Sequence, residues 1–142
     1  MMEVDNVNSL LTDSAQPKIL LKAPKQIELQ NGDRNFPKGV NIEFYGQQTQ
    51  KSSILTAKKG KYNKDKNLYT VTDDVVIVNQ EEHKKLNTEE LHWNPVTKKI
   101  YTDKFVRIET PQELLTGTGL ESNEDFSNYR ILKVSGVFPM QE

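Results

Sequence analysis

The sequence contains no cysteine, which excludes disulfides, thiolate metal sites and thiol nucleophiles and leaves the redox compartment undetermined. It has two histidines, His83 and His92, and no serine in a nucleophile-elbow setting. Catalysis would therefore depend on carboxylates. Asp73–Asp74 and Glu81–Glu82 are adjacent pairs, and neighbouring residues of a strand point to opposite faces, so neither pair converges on one substrate. We interpret both pairs as solvated turn residues and predict that the chain is not an enzyme.

Long apolar runs and an excess of one charge are also missing. The longest uninterrupted aliphatic run is Val75–Val78, whereas a helix needs roughly 20 apolar residues to span a bilayer. With 19 basic and 20 acidic residues, the chain has a net charge of -1 and no general attraction to nucleic acid or to an anionic membrane. The one basic run, Lys58–Lys66, lacks the aromatic platform on which bases stack. A solvated loop is favoured there, and no nucleic-acid partner is predicted.

Two acidic clusters have the residue types of a metal site but not the spacing of the tight metal motifs, so charged hairpin loops are favoured. They comprise Glu81, Glu82 and His83, and Glu89, Glu90 and His92. Gly117-Thr118-Gly119 lacks the rest of the dinucleotide fingerprint and a following helix, which indicates a bend in a strand and not a phosphate loop. We predict neither a metal nor another cofactor.

Helical periodicity is absent as well, because no window combines apolar residues at i, i+3, i+4 and i+7 with helix caps. Short strand-like runs alternate with turn signals instead, which predicts an all-β chain. A length of 142 residues fits one domain, and 35% apolar residues with a mean hydropathy of -0.72 suit a thin sheet sandwich. The polar residues 1–17 predict a flexible N-terminal leader, followed by the domain over residues 18–142.

The most informative feature of the sequence is an internal repeat of two copies. Ala57–Val78 is echoed by Thr88–Ile108. In each copy an aromatic residue, Tyr62 or Trp93, closes one strand, and a turn rich in lysine or asparagine precedes the next. These aromatic residues lie 31 positions apart, in the range of stacked supersecondary units. The repeat predicts a tandem of β-hairpins.

A second landmark of the repeat sets which residues face inward. Asp73 and Asp103 lie 30 positions apart and each introduces an alternating apolar stretch. Because side chains alternate along a strand, residues counted from these aspartates share a face. We expect the interior to be lined by Val76, Val78, Val106 and Ile108.

With these features, four strings make the chain resemble the LptC family, the periplasmic lipopolysaccharide export component of Gram-negative bacteria. The strings are APKQIELQNG (Ala23–Gly32), FPKGVNIEFY (Phe36–Tyr45), LNTEELHWNPVTKKIYTDKFVRI (Leu86–Ile108) and LLTGTGLESNEDFSNYRILKVSG (Leu114–Gly136). Their order carries the resemblance, which covers nearly all of residues 23–138.

The resemblance implies a twisted, slightly open antiparallel β-jelly roll, a fold shared with the bridge protein LptA. It also implies a function without chemistry in this subunit. The domain would accept lipopolysaccharide from an LptB2FG-type inner-membrane ABC transporter and pass it to an LptA-type bridge protein. Acyl chains would lie in an apolar groove, and partners would join by edge-strand pairing. The family's inner-membrane anchor, expected at the N-terminal side, is not visible in the sequence.

The resemblance also suggests site residues. The candidate groove lining is Val76, Val78, Leu91, Trp93, Val106 and Ile108, with Leu132 and Val134 near the C-terminal end. The candidate partner edge contains Gly117, Gly119 and Gly136. The same apolar residues would equally suit an ordinary core, since core and groove are one surface in such a fold.

Three alternatives stay open at this point. An LptA-like bridge subunit has the same fold. An all-β carbohydrate-binding or adhesion module would need exposed aromatics in a planar platform, whereas the aromatics here alternate with polar residues. A carboxylate hydrolase would need two acidic groups about 5 to 9 Å apart across a cleft.

Overall fold

The structure is a computed structural model that describes residues 1–11, 19–45 and 51–139. Within these ranges the chain forms eleven strands, and no helix that could span a membrane is present there. The strands are β1 (Met2–Leu11), β2 (Ile19–Glu28), β3 (Arg34–Phe36), β4 (Val40–Tyr45), β5 (Lys51–Ala57), β6 (Lys59–Asn63), β7 (Leu68–Asn79), β8 (Lys84–Asn94), β9 (Lys99–Glu109), β10 (Glu113–Asn123) and β11 (Tyr129–Pro139).

All eleven strands belong to one antiparallel sheet. Only Pro37–Gly39 separates β3 from β4, and only Lys58 separates β5 from β6. If each of these pairs is counted as one bent strand, every strand pairs with its neighbours along the chain and the sheet is a meander from β1 to β11. The predicted all-β, jelly-roll-like fold is confirmed.

The sheet bends along a line of backbone irregularities that crosses five strand paths and that we call the crease. It consists of Lys58, Asp73–Asp74 in β7, Glu89–Glu90 in β8, Asp103–Phe105 in β9 and Gly119 in β10, and the pairing registers shift at these positions. Asp73, Asp74 and Gly119 have positive φ angles of 67°, 55° and 84°, a conformation that aspartate tolerates and glycine favours. The Lys58 amide donates to the Asp73 carbonyl oxygen at 3.0 Å. Such bulges bend the strands and increase their local twist.

The crease divides the sheet into two half-sheets that face each other. Half-sheet A contains residues 59–63, 68–72, 91–94, 99–102 and 120–123, and half-sheet B contains residues 40–45, 51–57, 75–79, 84–88, 106–109 and 113–117. Phe44 of half-sheet B meets Trp93 of half-sheet A edge to face, with ring centroids 5.4 Å apart. Inward side chains of both halves, including Leu55, Ile77 and Leu91, are fully buried in one core. Burial of each such side chain contributes about 1.5–3 kcal/mol.

The half-sheets are also joined at the side opposite the crease. The Asn79 side-chain amide donates to the Asp125 carbonyl oxygen at 3.0 Å, and Lys84 Nζ donates to the Ser127 carbonyl oxygen at 2.8 Å. Both acceptors lie in the connection between β10 and β11, residues 124–128, which we call the latch. Its central residue, Phe126, is completely buried and stacks on Tyr129. The latch therefore closes part of the space between the half-sheets.

The predicted tandem of hairpins is present, but its period of 31 residues contradicts the predicted inward orientation of Val76 and Val78. Tyr62 pairs with Tyr69 in the β6–β7 hairpin, and Trp93 pairs with Ile100 in the β8–β9 hairpin, so equivalent residues lie 31 positions apart throughout.

The inward residues of β7 beyond its bulge are consequently Val75 and Ile77, which are fully buried, and not Val76 and Val78, which are on the opposite face. Asp73 and Asp103 lie 30 residues apart and not 31, because the crease bulges of β7 and β9 begin at non-equivalent positions of the repeat. A shift of one residue moves every side chain of a strand to the other face.

The structure also corrects the predicted leader for residues 2–11. These residues form β1, which pairs antiparallel with β2 from Met2 opposite Glu28 to Leu11 opposite Ile19. Only Val7 of β1 is buried, so the strand is held mainly by its backbone ladder, which leaves no apolar pattern in the sequence. Residues 12–17 of the predicted leader lie outside the described residues.

Within the described ranges, β1 and β11 each have a single ladder partner, β2 and β10 respectively. These two strands are the open edges of the sheet. Gly136 lies in β11, whereas Gly117 and Gly119 lie in the adjacent strand β10. Apolar side chains stand exposed on β11, among them Val134, Val137 and Phe138.

The orientation of β7 can be tested with two neighbouring valines. Val75→Ala should lower the free energy of unfolding by about 2 kcal/mol, because it leaves a cavity in the core. Val76→Ala on the opposite face should cost less than about 1 kcal/mol. Urea denaturation of both variants measures the difference, and a larger loss for Val76→Ala would contradict this register.

Candidate functional site

Trp93, the only tryptophan, organises the interior between the half-sheets. Its indole N–H donates to Glu124 Oε2 of the latch at 2.8 Å, in a buried contact. One face of the indole stacks on Tyr69 with ring centroids 4.8 Å apart, and Phe44 approaches from the other half-sheet. The donor of a buried indole needs such an acceptor, so the ring is fixed in orientation as well as in depth.

Beside Trp93 the interior opens into a cavity of about 320 Å³, which we call the mouth cavity. Tyr62, Tyr69 and Trp93 form an aromatic wall on half-sheet A, and Leu11 and Ile19 of β1 and β2 also line the cavity. Arg34 and Lys98 add charge at its rim, and the buried carboxyl group of Glu124 also lines the cavity. The cavity thus combines an apolar wall with a charged rim, as small-molecule and lipid sites commonly do.

The charged rim is tied to the aromatic wall. The Arg34 guanidinium lies over the Tyr62 ring at 5.3 Å, and Arg34 Nε is 3.4 Å from Glu28 Oε1. Burial raises the pKa of Tyr69 to about 12, and nearby Arg34 opposes this shift only partly. The Tyr69 side chain therefore stays neutral well above physiological pH.

Four of the eight predicted groove residues meet in the interior. Leu91, Trp93, Val106 and Ile108 are at most 2% exposed and belong to the same core. Val76 and Val78 are on the other face of the sheet, as described above.

The remaining two, Leu132 and Val134, are 51% and 55% exposed on β11. Val134 nevertheless pairs with buried Gly117, and Val137 pairs with Leu115, which packs on the core. Directly opposite residues of an antiparallel pair share a face. Val134 and Val137 thus extend the core-facing surface of the sheet to its open edge, where no further described strand covers them.

Sequence reasoning missed Phe44, Tyr69 and Glu124 as site residues. Tyr69 lies on the same inward face of β7 as Val75, and counting from Asp73 assigns the inward side to the other face. Glu124 has no periodic pattern to reveal it, because it belongs to the latch and reaches Trp93 only in the folded chain.

On the outer face, His92 contacts Thr70 and Glu90. Its Nδ1 is 2.8 Å from Thr70 Oγ1, and its Nε2 is 3.3 Å from Glu90 Oε2. No group of three or more metal-binding side chains is present among the described residues. Asp73 and Asp74, interpreted from sequence as turn residues, lie inside the β7 bulge, and Asp73 is 3.6 Å from Lys59 Nζ. Glu81 and Glu82 do occupy a turn, between β7 and β8.

Comparison with known proteins gives one family match. The model of the family described as "LptC: Lipopolysaccharide-assembly, LptC-related" matches residues 3–138. No curated protein matches the chain.

The link between the latch and Trp93 can be tested by removing its acceptor. Glu124→Leu leaves the buried indole N–H without a partner and should lower the free energy of unfolding by about 1–3 kcal/mol. Glu124→Gln, whose amide oxygen can still accept, should cost less. Because Trp93 is the only tryptophan, its emission reports the change during urea denaturation. Equal stability of the wild type and Glu124→Leu would contradict the assigned role.

Proposed function

The chain belongs to the LptC family of lipopolysaccharide-assembly proteins, and we propose that it carries lipopolysaccharide acyl chains between its half-sheets. In this proposal the domain accepts lipopolysaccharide from an LptB2FG-type inner-membrane ABC transporter and passes it to an LptA-type bridge protein. It works in the periplasm, held at the inner membrane by an N-terminal anchor. The family is one of transport and binding, and no chemistry is assigned to this subunit.

The observation that carries the proposal is an apolar surface that continues from the closed core to an open edge. The surface runs from Trp93 and Val106 in the interior to half-exposed Val134 and Val137 on β11. An acyl chain laid on such a surface gains about 0.8 kcal/mol for each CH₂ group that it removes from water. A lipid could thus leave the interior without crossing a polar barrier.

Binding of acyl chains requires the half-sheets to separate, because core side chains fill the space between them beyond the mouth cavity. Contacts that separation would break include the Phe44–Trp93 ring pair and the hydrogen bonds from Asn79 and Lys84 to the latch. Each such hydrogen bond contributes only about 0.5–1.5 kcal/mol net. Burial of several CH₂ groups is enough to offset their loss, so the latch side is a feasible place for opening.

The open edges support the proposed mode of assembly. The outer backbone N–H and C=O groups of β1 and β11 have no ladder partner among the described strands. Such edges template the addition of a partner's strand. Two different edges at opposite ends of one sheet suit a head-to-tail chain of domains, which is a heterologous assembly. We assign the β11 edge to the bridge protein.

A charge on the exposed part of the apolar surface should impair lipid binding without disturbing the core. Val134→Glu should weaken lipopolysaccharide binding at least about tenfold, which is about 1.4 kcal/mol, because an acyl chain cannot solvate the carboxylate. Lys133→Glu on the same strand is the charge-bearing control and should bind nearly normally. Equilibrium binding of labelled lipopolysaccharide measures both, and normal binding by Val134→Glu would count against the proposal.

Docking of the bridge protein can be tested separately at Gly136. A Cβ there would lie 2.7 Å from the Phe138 ring and 2.9 Å from Thr116 Oγ1. Phe138 is 54% exposed and can move, so Gly136→Arg should fold. The arginine should reduce pull-down of the bridge protein several-fold by obstructing the edge, whereas Val96→Arg in the exposed β8–β9 turn should not. Unchanged pull-down by Gly136→Arg would refute the assignment of this edge.

A further inference from the structure

A second cavity, of about 530 Å³, lies where the wall of the sheet is interrupted. Strand β2 pairs with β4 as far as Lys22 and with β3 from Ile27 onward, so residues 23–26 have no partner on that side. Pro24 within this gap has no N–H to offer a neighbouring strand. The gap faces the turn at Pro37–Gly39, whose Gly39 has a φ of 103°. We call this opening the side cavity, and it is distinct from the mouth cavity beside Trp93.

The floor of the side cavity is apolar and belongs to the core. Val7, Ala23, Val40 and Ala57 line it, and each is 5–9% exposed. Two of these side chains are alanines, whose small size leaves the space open. The volume falls within the roughly 300–1,000 Å³ of typical small-molecule sites. A ligand that fits here has an apolar segment that reaches the edge of the core.

The rim of the side cavity is cationic. Lys22 and Lys38 line it, and no carboxylate from the described part of the chain does. Lys22 is 3.4 Å from Glu43, whereas the Lys38 side chain has no ion-pair partner among residues 1–11, 19–45 and 51–139. Asn41 also lines the cavity, and its buried Oδ1 has no hydrogen-bond partner among the residues that the structure describes. A ligand with an anionic group and a hydroxyl donor would satisfy both residues.

We propose that the side cavity binds a single-chain anionic amphiphile, such as an alkyl phosphate, from the outer surface of the sheet. The head group contacts Lys38 and Asn41, and the first part of the alkyl chain covers Ala23 and Ala57. This site is separate from the interior that we propose for lipopolysaccharide. Lipopolysaccharide bound in the interior therefore does not exclude the amphiphile from the side cavity.

Dodecyl phosphate, used below its micelle concentration, is a suitable probe. Titration of the isotope-labelled protein should shift the backbone amide resonances of Gly39 and Ala57 first. Lys38→Glu should weaken binding at least tenfold, because it replaces the unpaired cation with an anion. Lys66→Glu, in the exposed β6–β7 turn, is the matched control and should bind like the wild type. Both changes lie in exposed turns, and near-ultraviolet circular dichroism checks that the fold is kept.

Three results would overturn the inference. Equal affinity of Lys38→Glu and the wild type would remove the assigned anion contact. Binding of inorganic phosphate as tightly as dodecyl phosphate would remove the role of the apolar floor. Competition by lipopolysaccharide, with resonance shifts around Trp93 in place of Gly39, would show that the probe occupies the interior. None of these results depends on whether Val134→Glu impairs lipopolysaccharide binding, so this inference and the proposed function can fail independently.

Discussion

The architecture depends on the crease, where the backbone of successive strands departs from regular pairing at neighbouring positions. A continuous flat meander would otherwise expose one apolar face along its whole length. Positive φ angles at Asp73, Asp74 and Gly119 let the strands bend without breaking the sheet. The bend brings Phe44 against Trp93 and so turns one face of one sheet into a two-layer core. The pairs of Asp73 with Lys59 and of Asp74 with Lys58 are exposed, so the backbone conformation matters more here than the charges do.

A folded meander has a second consequence, because the outer sides of its two terminal strands have no ladder partner among the described strands. In the proposed function, the same geometry supplies both requirements of a lipid conduit. The space between the half-sheets shields acyl chains, and the edges at β1 and β11 allow neighbouring domains to continue the sheet. The latch then sets how readily the half-sheets separate, since Glu124 holds Trp93 while the latch carbonyl groups hold Asn79 and Lys84.

Much of the fold could be predicted from the sequence because hairpins leave local signals. Turn residues, alternating apolar residues and the 31-residue spacing of Tyr62 and Trp93 are all visible in a single chain. The face of Val76 could not be found by counting, since the register depends on where each bulge absorbs an extra residue. The pairing of β1 was invisible because a strand held by backbone hydrogen bonds needs no side-chain pattern. Glu124 could not be identified either, as its contact with Trp93 joins a loop to a strand 31 residues away.

In the proposed function, the core-facing side of the sheet, and not its outer face, contacts lipid. Val106 and Arg107 are adjacent residues on opposite faces of β9, the first fully buried and the second exposed. A photoreactive amino acid at each position, in protein loaded with lipopolysaccharide by its transporter, compares the two faces directly. We expect a crosslink to lipopolysaccharide at position 106 and none at position 107. A crosslink at 107 alone, or none at either position in folded protein, would contradict the proposed function.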